Sequence, residues 1–149
     1  MSDNNHVIND LEHLFWSLNQ ILNQITKCYL ADKGLSMPRF WVLRRLSLEK
    51  PMTIGDLHRQ MYLAPATITG LVDGLVENGL VNRYRDETDR RVVYLKLTPQ
   101  GKALVDEVLN YRIAKLKAAL GSQGNVDTAQ LHSCLEGLYD WLHDSVRKK

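Results

Sequence analysis

The sequence predicts a mainly α-helical chain with one small β-hairpin, in the order ααααββαα, and three observations carry that prediction. Apolar residues recur at the 3.6-residue helical period through most of the 149 residues. Between them, Val93, Leu95 and Leu97 alternate with Val92, Tyr94 and Lys96 at the period of a half-buried strand. Proline and glycine punctuate the pattern where helices start and stop, at Pro65, Gly79 and Pro99. Two short helices joined by a tight turn and followed by a hairpin make a winged helix-turn-helix lobe. The remaining long helices form a second layer.

Taken in order, the first helix spans Val7 to Leu30, with a continuous stripe through Val7, Ile8, Leu11, Leu14, Phe15, Leu18, Ile21, Leu22, Ile25, Cys28 and Tyr29. Asp32 to Gly34 break it. Ser36 then caps a helix from Met37 to Leu48 that buries Phe40, Val42, Leu43 and Leu46. Glu49 to Met52, with Pro51, are the turn into the helix-turn-helix. Thr53 N-caps a short helix with Asp56 in its first turn, where the helix dipole favours negative charge, and Ile54, Leu57 and Met61 face the core. Tyr62 to Ala64 make the turn, and Pro65 suits the first position of the second helix because its φ is already helical. Ile68, Leu71, Val72, Leu75 and Val76 give that helix its buried side. Ala66, Thr67, Thr69, Gly70, Asp73 and Glu77 give it an outward side of small and polar residues suited to a groove. Gly79 ends it.

The hairpin has its tip at Asp86 to Arg90. From Val81 to Lys102 there are six basic residues (Arg83, Arg85, Arg90, Arg91, Lys96, Lys102) against three acidic ones, a net +3, whereas the second helix of the pair has Asp73 and Glu77 and no Lys or Arg. Attraction to phosphate therefore has to come mainly from the wing and its surroundings. Beyond it, Thr98 caps and Pro99 starts a helix running through Leu120; Gly121 to Gly124 form a loop. Asp127 with Gln130 reads as a capping box opening a last helix, with Leu131, Leu135, Leu138 and Leu142 on one face and a basic end at Arg147 to Lys149.

Asp89, Arg91, Leu95, Leu97, Thr98 and Gly101 fit the pattern D-x-R-x-x-x-L-x-L-T-x-x-G, preceded by TITGLVDGLVENGLV and, further upstream, LSMPRFWVLRRL. In these stretches the chain resembles the MarR-type (multiple-antibiotic-resistance) transcription regulators over nearly its whole length. The resemblance implies one domain over 1–149. Its winged helix-turn-helix lobe covers 35–100, with the helix-turn-helix at 54–77 and the wing at 80–98, and its dimerisation helices cover 5–33 and 101–147. It implies a homodimeric regulator, expected to be a ligand-responsive repressor, on a pseudo-palindromic double-stranded DNA operator. The candidate DNA-binding residues are Ser36, Thr53, Pro65, Ala66, Thr67, Thr69, Gly70, Arg83, Arg85, Arg90, Arg91 and Lys96. By resemblance Arg90 reaches a minor groove, and Arg91 pairs with Asp89 to brace the tip. Where such proteins often carry arginine on the recognition helix, this chain has Gly70 and Gly74. Trp16, Tyr29, Trp41, Arg45 and Tyr111 are the candidate lining of a cleft for a small aromatic anion, the kind of effector the family commonly binds; plain core packing is the alternative.

Other classes are weaker. A composition of 44% hydrophobic and 24% charged residues is globular, with no run of about 18 apolar residues and a polar start, so the expected location is cytoplasmic. Cys28 and Cys134 have no metal-ligand spacing, and Cys28 reads as a small buried hydrophobe. His6 and His13 share a helical face without a cluster of further ligands. No cofactor and no catalytic set is expected, the serines lacking a His and an acid partner nearby. A protein-interaction winged helix without specific DNA binding is the alternative function.

Overall fold

The computed structural model describes residues 2–48 and 50–148. Its elements are α1 (Ser2–Ala31), α2 (Met37–Leu48), β1 (Met52–Thr53), α3 (Ile54–Met61), α4 (Pro65–Glu77), β2 (Val81–Arg85), β3 (Val93–Leu97), α5 (Pro99–Ser122) and α6 (Thr128–Arg147). The architecture is the expected one, mostly helical with a small antiparallel sheet, and it adds a third strand. The sheet order is β1-β3-β2, with Met52 opposite Leu95 and Thr53 opposite Tyr94. Met52, expected in a turn, is therefore in a strand: two residues are too few to show a period, and only pairing with β3 defines them. Glu49 of the same expected turn, and Lys149 at the basic end, lie outside the described residues. No described helix is long and apolar enough to cross a membrane.

The chain divides into two compact units, 1–112 and 113–149. In the first, Phe40, Val42 and Leu43 of α2, Leu57 of α3, Ile68, Val72 and Leu75 of α4, Leu95 of β3, and Val105 and Val108 of α5 are fully buried together. Each such side chain stabilises by about 1.5 to 3 kcal/mol, and an isolated helix as short as α3 is marginal in water, so packing rather than propensity holds these helices. Among the described residues of α1, Leu30 and Thr26 are fully buried, the Thr26 hydroxyl donating to the Leu22 carbonyl (2.8 Å) and accepting from Arg112 (3.2 Å). The N-terminal half of the α1 stripe stays open, with Leu14 and Leu18 each 53% exposed. Cys28 is also exposed, contrary to the buried hydrophobe expected, because it sits on the side of α1 away from Thr26 and Leu30.

Local chemistry sets the ends. Thr53 and Asp56 form a full capping box on α3, whose C-cap Tyr62 turns left-handed at φ 54°. Pro65 starts α4. Gly79 lies one position past the Asn78 cap rather than at it, at φ +70°, and the bonds Gly79 N to Val76 O (3.0 Å) and Leu80 N to Leu75 O (2.9 Å) close a Schellman motif. In the second unit α5 continues through Gly121 and Ser122, two residues into the expected loop. Asp127 caps α6 through the backbone N–H groups of Ala129 and Gln130, both at 3.0 Å, so Gln130 contributes its backbone to this cap. Among the described residues α6 buries none.

One junction ties α4, the hairpin and α5 together. Thr98 N–H donates to the Leu80 carbonyl (3.1 Å), and its hydroxyl donates to the Gly79 carbonyl (2.7 Å) while accepting from Gly101 N–H (3.0 Å). A Cβ on Gly101 would lie 2.1 Å from the Leu80 oxygen. Alanine is favoured over glycine in a helix by about 1 kcal/mol, but this clash is with hydrogen-bonded backbone that cannot swing aside. Gly101→Ala is therefore expected to destabilise by about 1 to 3 kcal/mol, read from the urea midpoint; a midpoint at or above that of the parent chain would refute the close approach.

Candidate nucleic-acid interface

The helix-turn-helix is α3, the turn and α4. His58 Nδ1–H of α3 donates to the Leu63 carbonyl (2.5 Å), which locks the turn to α3. Ala66, Thr67, Gly70, Asp73 and Glu77 of α4 lie on its outward side as expected, Pro65 is exposed at the helix start, and nothing lies within 4 Å of where a Cβ on Gly70 would stand. Thr69 is half-buried, and its hydroxyl donates back to the Pro65 carbonyl (3.0 Å). That spends its hydroxyl proton and leaves its oxygen only as an acceptor. Ser36 is exposed at the start of α2. The Thr53 hydroxyl is committed to the capping box, donating to Asp56 Oδ2 (2.8 Å) and accepting from Asp56 N–H (3.1 Å).

The wing separates the basic residues into those that are spent and those that are free. Arg83 donates to Asp73 of α4 at 2.5 Å, tying β2 to the helix, and Lys102 pairs with Asp106 at 2.6 Å. Arg85, Arg90, Arg91 and Lys96 have no ion-pair partner among the described residues. The register places Arg83 opposite Leu95 and Arg85 opposite Val93, on the inner face, and Lys96 opposite Asn82 on the outer face with the Tyr84–Tyr94 pair. Lys96 thus points away from the side that faces α4.

The tip is organised by Asp86. Its Oδ1 accepts from the Thr88 N–H (2.7 Å), the Thr88 hydroxyl (2.5 Å) and the Asp89 N–H (3.0 Å), and these bonds, that from the Thr88 hydroxyl first, hold its carboxyl below the usual range. Asp89 takes the backbone N–H of Arg91 (3.0 Å) and not its guanidinium, which corrects the side-chain pairing expected there. The reason is distance in sequence: two residues suffice for an Asx turn onto backbone. The Asp-x-Thr spacing at 86–88 is the signal that would have identified Asp86.

The five residues expected around an effector do not converge. Trp41 and Arg45 line a concavity of about 470 Å³ with Arg44, Gln60, Met61 and Leu63, between α2 and the turn. Tyr29 and Tyr111 pack on each other at 4.5 Å, and Tyr29 donates to Glu107 (2.6 Å), which also pairs with Lys33 (2.8 Å). Those bonds, Lys33 first, lower the Glu107 carboxyl and make the tyrosine pair a brace between α1 and α5. Trp16 is exposed on α1 beside His13. Sequence reasoning missed Arg112, held below the usual arginine range by burial and then by the neighbouring Arg44 charge.

Residues 35–93 match the profile of the MarR family. The chain is 36% identical over 139 residues to the Bacillus subtilis HTH-type transcriptional regulator YsmB, covering 93% of each. The chain belongs to the MarR family. It is also 31% identical over 134 residues to the HTH-type transcriptional repressor YetL of B. subtilis, covering 87% of this chain and 80% of that one. Among solved structures it is similar to a MarR family protein from Bacillus stearothermophilus (TM-score 0.84, 32% identity, covering 93% and 97%). It is similar as well to a mutant of Escherichia coli MarR complexed with operator DNA (TM-score 0.65, 25% identity, covering 88% and 94%). Its relatives are transcription regulators, so this MarR-family chain is not an enzyme. The wing signature of this MarR chain is largely architectural: Asp89, Thr98 and Gly101 bond or pack against backbone, and Leu95 is core.

Proposed function

We propose that this MarR-family chain is a cytoplasmic homodimeric repressor that binds a pseudo-palindromic double-stranded DNA operator, with α4 in the major groove and the wing beside it. The observation that carries the DNA contact is the wing: Arg85, Arg90 and Arg91 are exposed and unspent next to a reading helix that has no basic residue of its own. Specificity then rests on Arg90 in a narrow A·T-rich minor groove, with Ala66, Thr67 and Thr69 offering methyl groups that discriminate less than the roughly 1 to 3 kcal/mol of a bidentate arginine pair. Arg90→Ala is expected to lose most affinity at operators with A·T-rich flanks. Lys96→Ala, a phosphate contact at most, weakens all sequences alike and lowers the salt slope by about 1. Gel shifts on selected and random duplexes check both; an Arg90→Ala protein with unchanged affinity and selectivity would favour the protein-interaction reading.

The homodimer is supported by the unburied stripes. Leu131, Leu135, Leu138 and Leu142 of α6 are between 39% and 51% exposed, an amphipathic helix with a face that wants a partner. The terminal helices of a second copy supply it, and two lobes then address two half-sites about one helical turn apart. Leu138→Asp, or deletion from Asp127 onward, is expected to give a monomeric or insoluble product. A soluble dimer by light scattering that still shifts DNA sinks this assignment.

For the effector, the support is the concavity with Trp41, Arg44 and Arg45, whose other wall is the turn leading into α4. A phenolic carboxylate held there presses on that turn and weakens DNA binding by a coupling of about 1 to 3 kcal/mol, with DNA weakening the ligand equally. Calorimetry giving no heat with a panel of such anions at millimolar concentration, and no change in DNA affinity, would count against it.

A further inference from the structure

Gly74 is buried on α4 although it is neither in a turn nor at a helix end, and what covers it is a guanidinium. A Cβ at this position would lie 2.4 Å from Nη2, 2.7 Å from Cζ and 3.1 Å from Nε of Arg39, so the α2 arginine lies flat on bare helix backbone. Arg39 is exposed over part of its length, and no hydrogen bond or ion pair of its side chain is present among the described residues. A guanidinium carries five N–H donors and no acceptor, so with no partner in the protein its solvent-facing donors are available to an anion. Residues four apart lie nearly one above the other on a helix, so the guanidinium covering buried Gly74 sits one turn along from exposed Gly70, at the edge of the outward side of α4. Asp73 on the same helix is already taken by Arg83 and does not serve Arg39.

We infer that Arg39, seated on Gly74, is a phosphate-binding group of the DNA interface, lending α4 from the neighbouring helix the positive charge that its own sequence lacks. The inference rests on the DNA-binding reading above. It gives Gly74 a function distinct from Gly70: Gly70 leaves room for the duplex, whereas Gly74 leaves room for an arginine. The contact is to the backbone flanking the groove, because the guanidinium lies against the side of α4 and not beyond its outward residues.

The test uses the full chain and a fluorescein-labelled duplex of mixed sequence, followed by anisotropy across a salt series, with thermal melts in parallel. Arg39→Ala is expected to lower affinity about ten-fold, as loss of one charge-assisted contact does, and to reduce the slope of log affinity against log salt by about 1. Gly74→Ala is expected to reproduce that loss while melting no lower than the parent, because its methyl displaces only the far end of a flexible side chain and alanine is the better helix former. The double variant then binds like either single one. Arg39→Ala with parental affinity and slope overturns the inference, and so does Gly74→Ala with parental affinity. A loss confined to duplexes with one particular base pair also overturns it, since that marks a base contact. A parent chain that binds no duplex defeats the DNA reading and this site together, whereas one that binds, responds to Arg90→Ala and ignores Arg39→Ala defeats this site alone.

Discussion

The Leu80 carbonyl is the point on which the first unit depends. It takes the Thr98 N–H on one side and leaves no space for a side chain at Gly101 on the other, while the N–H of the same residue closes the end of α4. The end of α4, both ends of the hairpin and the first turn of α5 are thereby fixed within a few residues of each other. Thr98 adds the Gly79 carbonyl to the same knot. A contact between backbones is stiffer than one between side chains, because neither party has a rotamer to change. The orientation of hairpin to helix is set here before any surface charge is considered.

What the sequence revealed and what it concealed divide along physical lines. Periodicity is a local property, so α1 through α6 and the β2–β3 hairpin were readable, as were Thr53, Pro65 and Pro99 at helix starts, where the deciding chemistry lies within four residues. The strand β1 was not, since two residues acquire strand character only by finding Leu95 and Tyr94 more than forty positions away. Gly74 and Arg39 are 35 positions apart and looked unrelated. The aromatic residues grouped by type proved to occupy three places, because an amphipathic pattern says which side is apolar and not which neighbour it meets. Gly121 looked like a loop residue yet sits in open space inside α5, where a glycine costs helix propensity but creates no clash.

Charge counted along the chain also differs from charge available at the surface. An exposed ion pair contributes at most about 1 kcal/mol, so Arg83–Asp73, Lys102–Asp106 and Arg59–Asp56 do little for stability. Their effect is selective. They withdraw particular cations from intermolecular use and leave others, so the net +3 of the wing segment is less informative than which of its arginines remain open.

The Arg83–Asp73 pair has a mechanical side as well. The hairpin is joined to α4 at its base through Gly79 and Thr98, and this pair touches the helix again partway up, so the two contacts favour one spacing of helix and hairpin without locking it. In the DNA-binding reading proposed above, sequences whose grooves already match this spacing would spend the least elastic energy in meeting it. On that reading, the spacing of helix and hairpin would bear on base pairs that no side chain touches.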